Sequence, residues 1–164
     1  SPIVIGYISH EDEDFISLLD LMIKLAYNKH AAQMIGKAEK EILLRRSAHN
    51  GHLTCVRYLH QQGADIHAKN KYGSTALIWS AYEGHLGCVK YLHEQGADIN
   101  AKNRWQETAL HLSAAYGQLD CVRYLCEQGA DIHTKNKNGD TALMLSAEQG
   151  HLHCTKYLRQ QGAK

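Results

Sequence analysis

The sequence predicts an all-α solenoid, a stack of short helical pairs, and three observations carry that prediction. A tail recurs every 33 residues as Gly63-Ala64-Asp65-Ile66, Gly96-Ala97-Asp98-Ile99, Gly129-Ala130-Asp131-Ile132 and Gly162-Ala163. A middle block keeps the same step: Cys55, Cys88, Cys121 and Cys154 lead to Tyr58-Leu59, Tyr91-Leu92, Tyr124-Leu125 and Tyr157-Leu158. A leading block, Thr75-Ala76-Leu77, Thr108-Ala109-Leu110-His111 and Thr141-Ala142-Leu143, precedes a Ser-Ala pair and then Gly84, Gly117 or Gly150. A unit this short cannot bury its own apolar face and must cover it with the next copy.

Taken in order, residues 1–10 carry no strong pattern. Over 12–27 the residues Phe15, Leu18, Leu19, Met22, Ile23 and Ala26 recur at helical spacing, with Asp12, Glu13 and Asp14 where a helix dipole favours acids. A second helical piece is expected over 29–35, ended by Gly36. Neither matches the repeat, so residues 1–35 read as a helical N-terminal extension that covers the open end of the stack.

The repeat region, 36–164, divides at about 36–68, 69–101, 102–134 and 135–164. Repeat one diverges early, with Ile42-Leu43-Leu44-Arg45-Arg46, yet keeps Ser47-Ala48 and Gly51-His52-Leu53. Repeat four exchanges Val for Thr155 and carries His153 and Arg159, as suits a terminal repeat. Within each unit a first helix, about 75–82 in repeat two, is narrow because Ser80-Ala81 allows close approach. A second, about 86–94, is bulkier. Small inner and large outer helices curve the stack, leaving a concave face lined by the first helices and the turns before them.

The chain has 164 residues, an apolar fraction of 44% and a net charge of +1, which gives no reason to expect a polyanion as partner. The ladders Leu77/Leu110/Leu143, Leu86/Leu119/Leu152 and Ile66/Ile99/Ile132 supply core. Repeats packed like helices sit about 10 Å apart, too far for the four in-phase cysteines to pair, since a disulfide needs Cα atoms within about 7 Å. They read as small buried hydrophobes in a reducing compartment, the cytoplasm, or the nucleus or a host cytosol if the protein is an effector. No apolar run is long enough to span a membrane. The absence of a starting Met suggests an excised fragment, expected to be monomeric.

These recurring blocks resemble the ankyrin repeat, whose signature is T-P-L-H-x-A in a turn-helix-helix unit, and the resemblance covers roughly the last four-fifths of the chain. It implies β-hairpin fingers, with Asp98-Ile99-Asn100-Ala101 entering and Asn103-Arg104-Trp105-Gln106 at the tip. Ala76, Ala109 and Ala142 replace the family's Pro, which should soften the helix start. Ile78 and Met144 replace its His, leaving His111 to make the family's turn-bracing hydrogen bonds.

The residues offer little for catalysis. There is no Gly-rich phosphate loop and no nucleophile elbow, and the glycines fall at repeat spacing. The 12 histidines are spread along the solenoid rather than converging on a metal, and no cofactor is implied. Cys126 stands where His60, His93 and Arg159 stand in other repeats, a half-exposed helix residue rather than a nucleophile.

The fingers carry more signal. Lys69 and Lys71, Lys102 and Arg104, Lys135 and Lys137 form a basic ridge. We expect a non-catalytic protein-binding module with its site on the concave face of repeats two and three. Tyr72 and Trp105, exposed at the tips, are the anchors and Tyr82 and Tyr116 the helix-side wall. Lys71, Arg104 and Lys137 steer an acidic partner protein, and Glu83, Glu107 and Asp140 set register. Trp79 reads equally as core. Two other readings remain open: a substrate-recruiting module of a larger enzyme or secreted effector, and, with less support, a nucleic-acid binder with Tyr72 and Trp105 stacked on bases.

Overall fold

The computed structural model describes residues 35–164. Repeat one contributes α1 (Lys37–His49) and α2 (Leu53–Gln61), repeat two α3 (Ala76–Glu83) and α4 (Leu86–Glu94). Repeat three contributes α5 (Ala109–Ala115) and α6 (Leu119–Glu127), repeat four α7 (Ala142–Glu148) and α8 (Leu152–Gln160). The result is the all-α repeat stack that the sequence predicts, with eight helices and no strand among the described residues. The helices expected over 12–27 and 29–35, and the covering role given to them, lie outside the described residues save for Ile35, in a bend before α1.

The inner helices of repeats two to four each start on a threonine. Thr75, Thr108 and Thr141 hold extended backbone, and their hydroxyls accept the N–H of Ile78, His111 and Met144 at 3.3, 3.4 and 3.4 Å. These are long bonds for N–H to hydroxyl contacts. The helix α1 is longer because repeat one lacks the Thr block; the Glu39 carboxylate accepts the Gly36 N–H at 2.9 Å and closes its first turn. A glycine in the left-handed region closes or follows each inner helix, and the next repeat closes over Gly51, Gly84 and Gly117. A Cβ on Gly84, at φ 80°, would stand 2.3 Å from the Gln118 side-chain oxygen, whose amide meanwhile donates to the Tyr82 carbonyl at 3.1 Å.

Packing follows the repeat. The helix α1 packs on α3, α3 on α5 and α5 on α7; the outer helices follow in the same order, and each inner helix also touches its own outer helix. Leu77, Leu110 and Leu143 are buried between them with Val56, Val89 and Val122 and with Leu59, Leu92, Leu125 and Leu158. Ser80, Ser113 and Ser146 are wholly buried at the inner-helix contacts, and each hydroxyl donates to the carbonyl three residues back, whereas the equivalent Ser47 hydroxyl of the divergent first repeat is buried without a hydrogen-bond partner among the described residues. Two ladders depart from expectation: Ile99 and Ile132 are only half-buried, and Leu152 is 76% exposed, with none of the described residues lying over it as repeat two lies over Leu53.

The in-phase cysteines are buried free thiols, with burial pushing Cys88 up to about 11 and Cys121 up to about 12, so they are protonated packing groups at neutral pH. Outside them runs a regular ladder. The Tyr91 hydroxyl meets His60 Nδ1 at 2.9 Å and the Tyr124 hydroxyl meets His93 Nδ1 at 2.9 Å. The cations of Arg57, Lys90 and Arg123 lie 5.1, 5.6 and 5.1 Å from the ring centres of Tyr91, Tyr124 and Tyr157. Each rung joins one repeat to the next.

Candidate functional site

The fingers are built around a recurring asparagine. Asn70 Oδ1 accepts the N–H groups of Tyr72 and Ser74, Asn103 Oδ1 those of Trp105 and Glu107, and Asn136 Oδ1 those of Asn138 and Asp140, all at 2.9–3.0 Å. Backbone bonds from Asn70, Asn103 and Asn136 to the carbonyls of Ser74, Glu107 and Asp140 close the same loops. These are tight turns and not the β-hairpins that the resemblance implies, because one asparagine side chain satisfies the amides that a strand ladder would otherwise use. The asparagines recur at repeat spacing, so the signal for these turns is present in the sequence.

Consecutive tips are then tied together. The Arg104 N–H donates to the Tyr72 carbonyl and the Lys137 N–H to the Trp105 carbonyl, both at 2.9 Å. This register sets Lys71, Arg104 and Lys137 on successive tips, all exposed. Lys71 Nζ lies 5.1 Å from the Tyr72 ring centre. Arg104 and Lys137 form no ion pair among the described residues. Asp65, Asp98 and Asp131 accept N–H groups two residues on, at 2.8–2.9 Å. Those bonds and the Thr134 hydroxyl hold the Asp131 carboxyl below its ordinary value.

Trp105 is not the freely exposed tip residue that the sequence suggested. It is half-buried and stacked on Tyr72, with ring centres 5.8 Å apart and planes 29° off parallel. The next residue, Gln106, holds φ at 62°, where the other two fingers have Gly73 and Gly139. A side chain in the left-handed region is strained by roughly 1–2 kcal/mol.

Glu107 requires a larger correction. Read as a surface acid setting register, it is 2% exposed, and its carboxylate accepts from Asn103 Nδ2 at 2.8 Å. Burial raises its carboxyl above the ordinary value, against the opposing pull of that bond. Asp140 and Glu83 are half-buried. The neighbouring His111 is 1% exposed: Nδ1 meets the Thr108 amide and hydroxyl, and Nε2 meets the Asp140 carbonyl at 3.1 Å, joining repeat three to the fourth finger. Burial lowers its pKa, so it sits there as the neutral imidazole.

At the far ends of α3 and α5 a second aromatic group assembles. Tyr82 and Tyr116 meet edge to face at 4.4 Å, Trp79 meets Tyr82 at 5.8 Å, and His49 meets Trp79 at 5.4 Å and Tyr82 at 6.3 Å. His49 Nε2 also lies 3.1 Å from Glu83 Oε1. Tyr116 is raised well above the ordinary tyrosine value by burial, by its hydrogen bond with Tyr82 and by the fields of Glu107 and Glu83. Tyr82 and Tyr116 thus come together as expected. Trp79, read as equally suited to the core, and His49, not singled out, join them. The signal for both was irregularity: Leu112 and Leu145 stand at the Trp79 position, Ala115 and Glu148 at the His49/Tyr82 position.

Among the described residues no helix is long and apolar enough to cross a membrane, and no group of three or more metal-ligating side chains converges. No curated protein matches the sequence. A family model for ankyrin repeats, three copies long, matches residues 11–103 and again 101–164. Its first match begins inside the segment read as an extension.

Proposed function

Because the chain belongs to the ankyrin-repeat family, whose members are in general non-catalytic protein-interaction modules, we propose that its concave face binds a partner protein through the fingers of repeats two to four and the helix ends behind them. The observation that carries this reading is the fingertip register. Backbone bonds fix Lys71, Arg104 and Lys137 in a row, and Arg104 and Lys137 have no carboxylate to neutralise them among the described residues. An acidic segment on the partner supplies that charge. Cations on a rim act mainly on the rate and salt dependence of association, whereas Tyr72 and Trp105 contribute the buried contact that governs dissociation. The strained Gln106, beside both, fits a tip whose side chains are kept for contact rather than for stability.

A reducing compartment also suits the free buried cysteines. The mutual stack of Tyr72 and Trp105 engages a face of each ring, which leaves less for nucleic-acid bases than the sequence suggested.

The test is affinity capture followed by mass spectrometry, comparing the wild-type chain with a Y72A/R104A/W105A/Y116A variant shown by circular dichroism to be folded. A partner lost only with the variant supports the concave face. Equal capture by both places the contact elsewhere.

A further inference from the structure

The fingers and the helix ends present opposite electrostatics. Behind the basic ridge, Trp79, Tyr82 and Tyr116 form a half-buried aromatic wall at the ends of α3 and α5. The acids beside it are poorly matched. Glu83 pairs among the described residues only with His49, which is charged only when protonated. Glu107, nine-tenths and more buried, has one oxygen bonded to Asn103 and no hydrogen bond to the other among the described residues. The fields of both acids reach the Tyr116 hydroxyl, so an anion is repelled here.

We propose that this wall takes up an arginine side chain of the partner protein, its guanidinium lying on the Tyr82 and Tyr116 rings with its N–H groups donating to the Glu83 carboxylate. The inference rests on the concave-face reading and adds the chemistry of the partner: acidic where it meets the fingers, cationic where it meets the helix ends. Charge complementarity selects the cation, because aromatic faces carry negative quadrupole potential and here stand beside carboxylates. Geometry selects arginine over lysine. A guanidinium is planar, stacks on rings, presents a fork of donors to a carboxylate and sheds water more readily than an ammonium. Nothing in the family match assigns such a position.

The experiment needs no partner. The 164-residue chain, labelled in its tyrosine rings and tryptophan indoles, is titrated with N-acetyl-arginine amide and, separately, with N-acetyl-citrulline amide, which keeps the shape and loses the charge. The arginine probe is expected to move the Tyr82, Tyr116 and Trp79 resonances about fivefold more than citrulline does. Glu83→Gln, an exchange at a half-exposed helix end, should reduce that response about threefold or more. Equal responses to the two probes, movement confined to Tyr72 and Trp105, or indifference to Glu83→Gln overturns the proposal. A flat titration removes the arginine site while leaving the capture result standing; loss of the concave-face reading in the capture experiment leaves a positive titration as a cation site without its partner context.

Discussion

The outer and inner faces of this stack are made from the same repeat and obey it differently. On the outer face Tyr91 and Tyr124 each meet a histidine of the preceding repeat at 2.9 Å, and a cation lies over each tyrosine ring from Tyr91 to Tyr157. On the inner face the finger cations repeat, but no column of aromatic side chains is kept. Trp79 gives way to Leu112 and Leu145, Tyr82 to Ala115 and Glu148, and Gly73 to Gln106 and back to Gly139. Regularity of the aromatic column marks the surface that holds repeats together, and on the reading proposed above its loss marks the surface free to specialise.

The largest effect that would break this contrast is on the outer face. Tyr91 is 9% exposed and packed in the core, so Tyr91→Ala is expected to cost roughly 3 kcal/mol in urea unfolding. A loss below about 1 kcal/mol would mean the ladder is decoration. Next comes the inner core of repeat three, where the other repeats place Ile78 and Met144 against its buried His111. Burial lowers the folded pKa of His111 below 6.5, so the unfolded chain takes up its proton first and stability falls as pH drops through about 6.5. Lys102 and Asp140 bear on the same ring in opposite senses. Glu107, raised above 4.5, acts in the opposite sense. His111→Asn should lower stability by about 2 kcal/mol at neutral pH and flatten the slope between about pH 7 and 5.5; a slope unchanged in the variant would assign the acid sensitivity to another group.

Two smaller changes sharpen the comparison by restoring the repeat. Gln106→Gly gives the third finger the residue its neighbours use and should stabilise by about 1 kcal/mol in thermal unfolding while weakening partner capture. If stability rises and binding is untouched, Gln106 is drift. Cys126→His adds the missing rung opposite Tyr157 and should stabilise by about 0.5–1 kcal/mol without effect on binding. Crosslinking or a shift in the His ring signals would report whether the new imidazole reaches the hydroxyl.

The fold was legible because the period of the sequence is the period of the packing. Ladder positions such as Leu77, Leu110 and Leu143 read directly as core, and even Thr75, Thr108 and Thr141 read as helix starts. The site was only half legible. Tyr82 and Tyr116 occupy different columns of the repeat, and their contact depends on the short Ala115 standing where a second Tyr82 would be. Glu107 looked like a surface acid because glutamate usually is one, and its burial follows from Asn103 reaching across the finger, a pairing that spacing alone does not reveal.

The backbone bonds from Arg104 to Tyr72 and from Lys137 to Trp105 also make the ridge a ruler. Successive tips are held at the repeat spacing, about 10 Å for packed helices, and an extended chain advances about 3.3 Å per residue. A strand laid along the tips therefore meets a cation at every third residue. On the concave-face reading proposed above, acids at that interval would be met together, whereas the same acids at every second or fourth residue would miss the next finger.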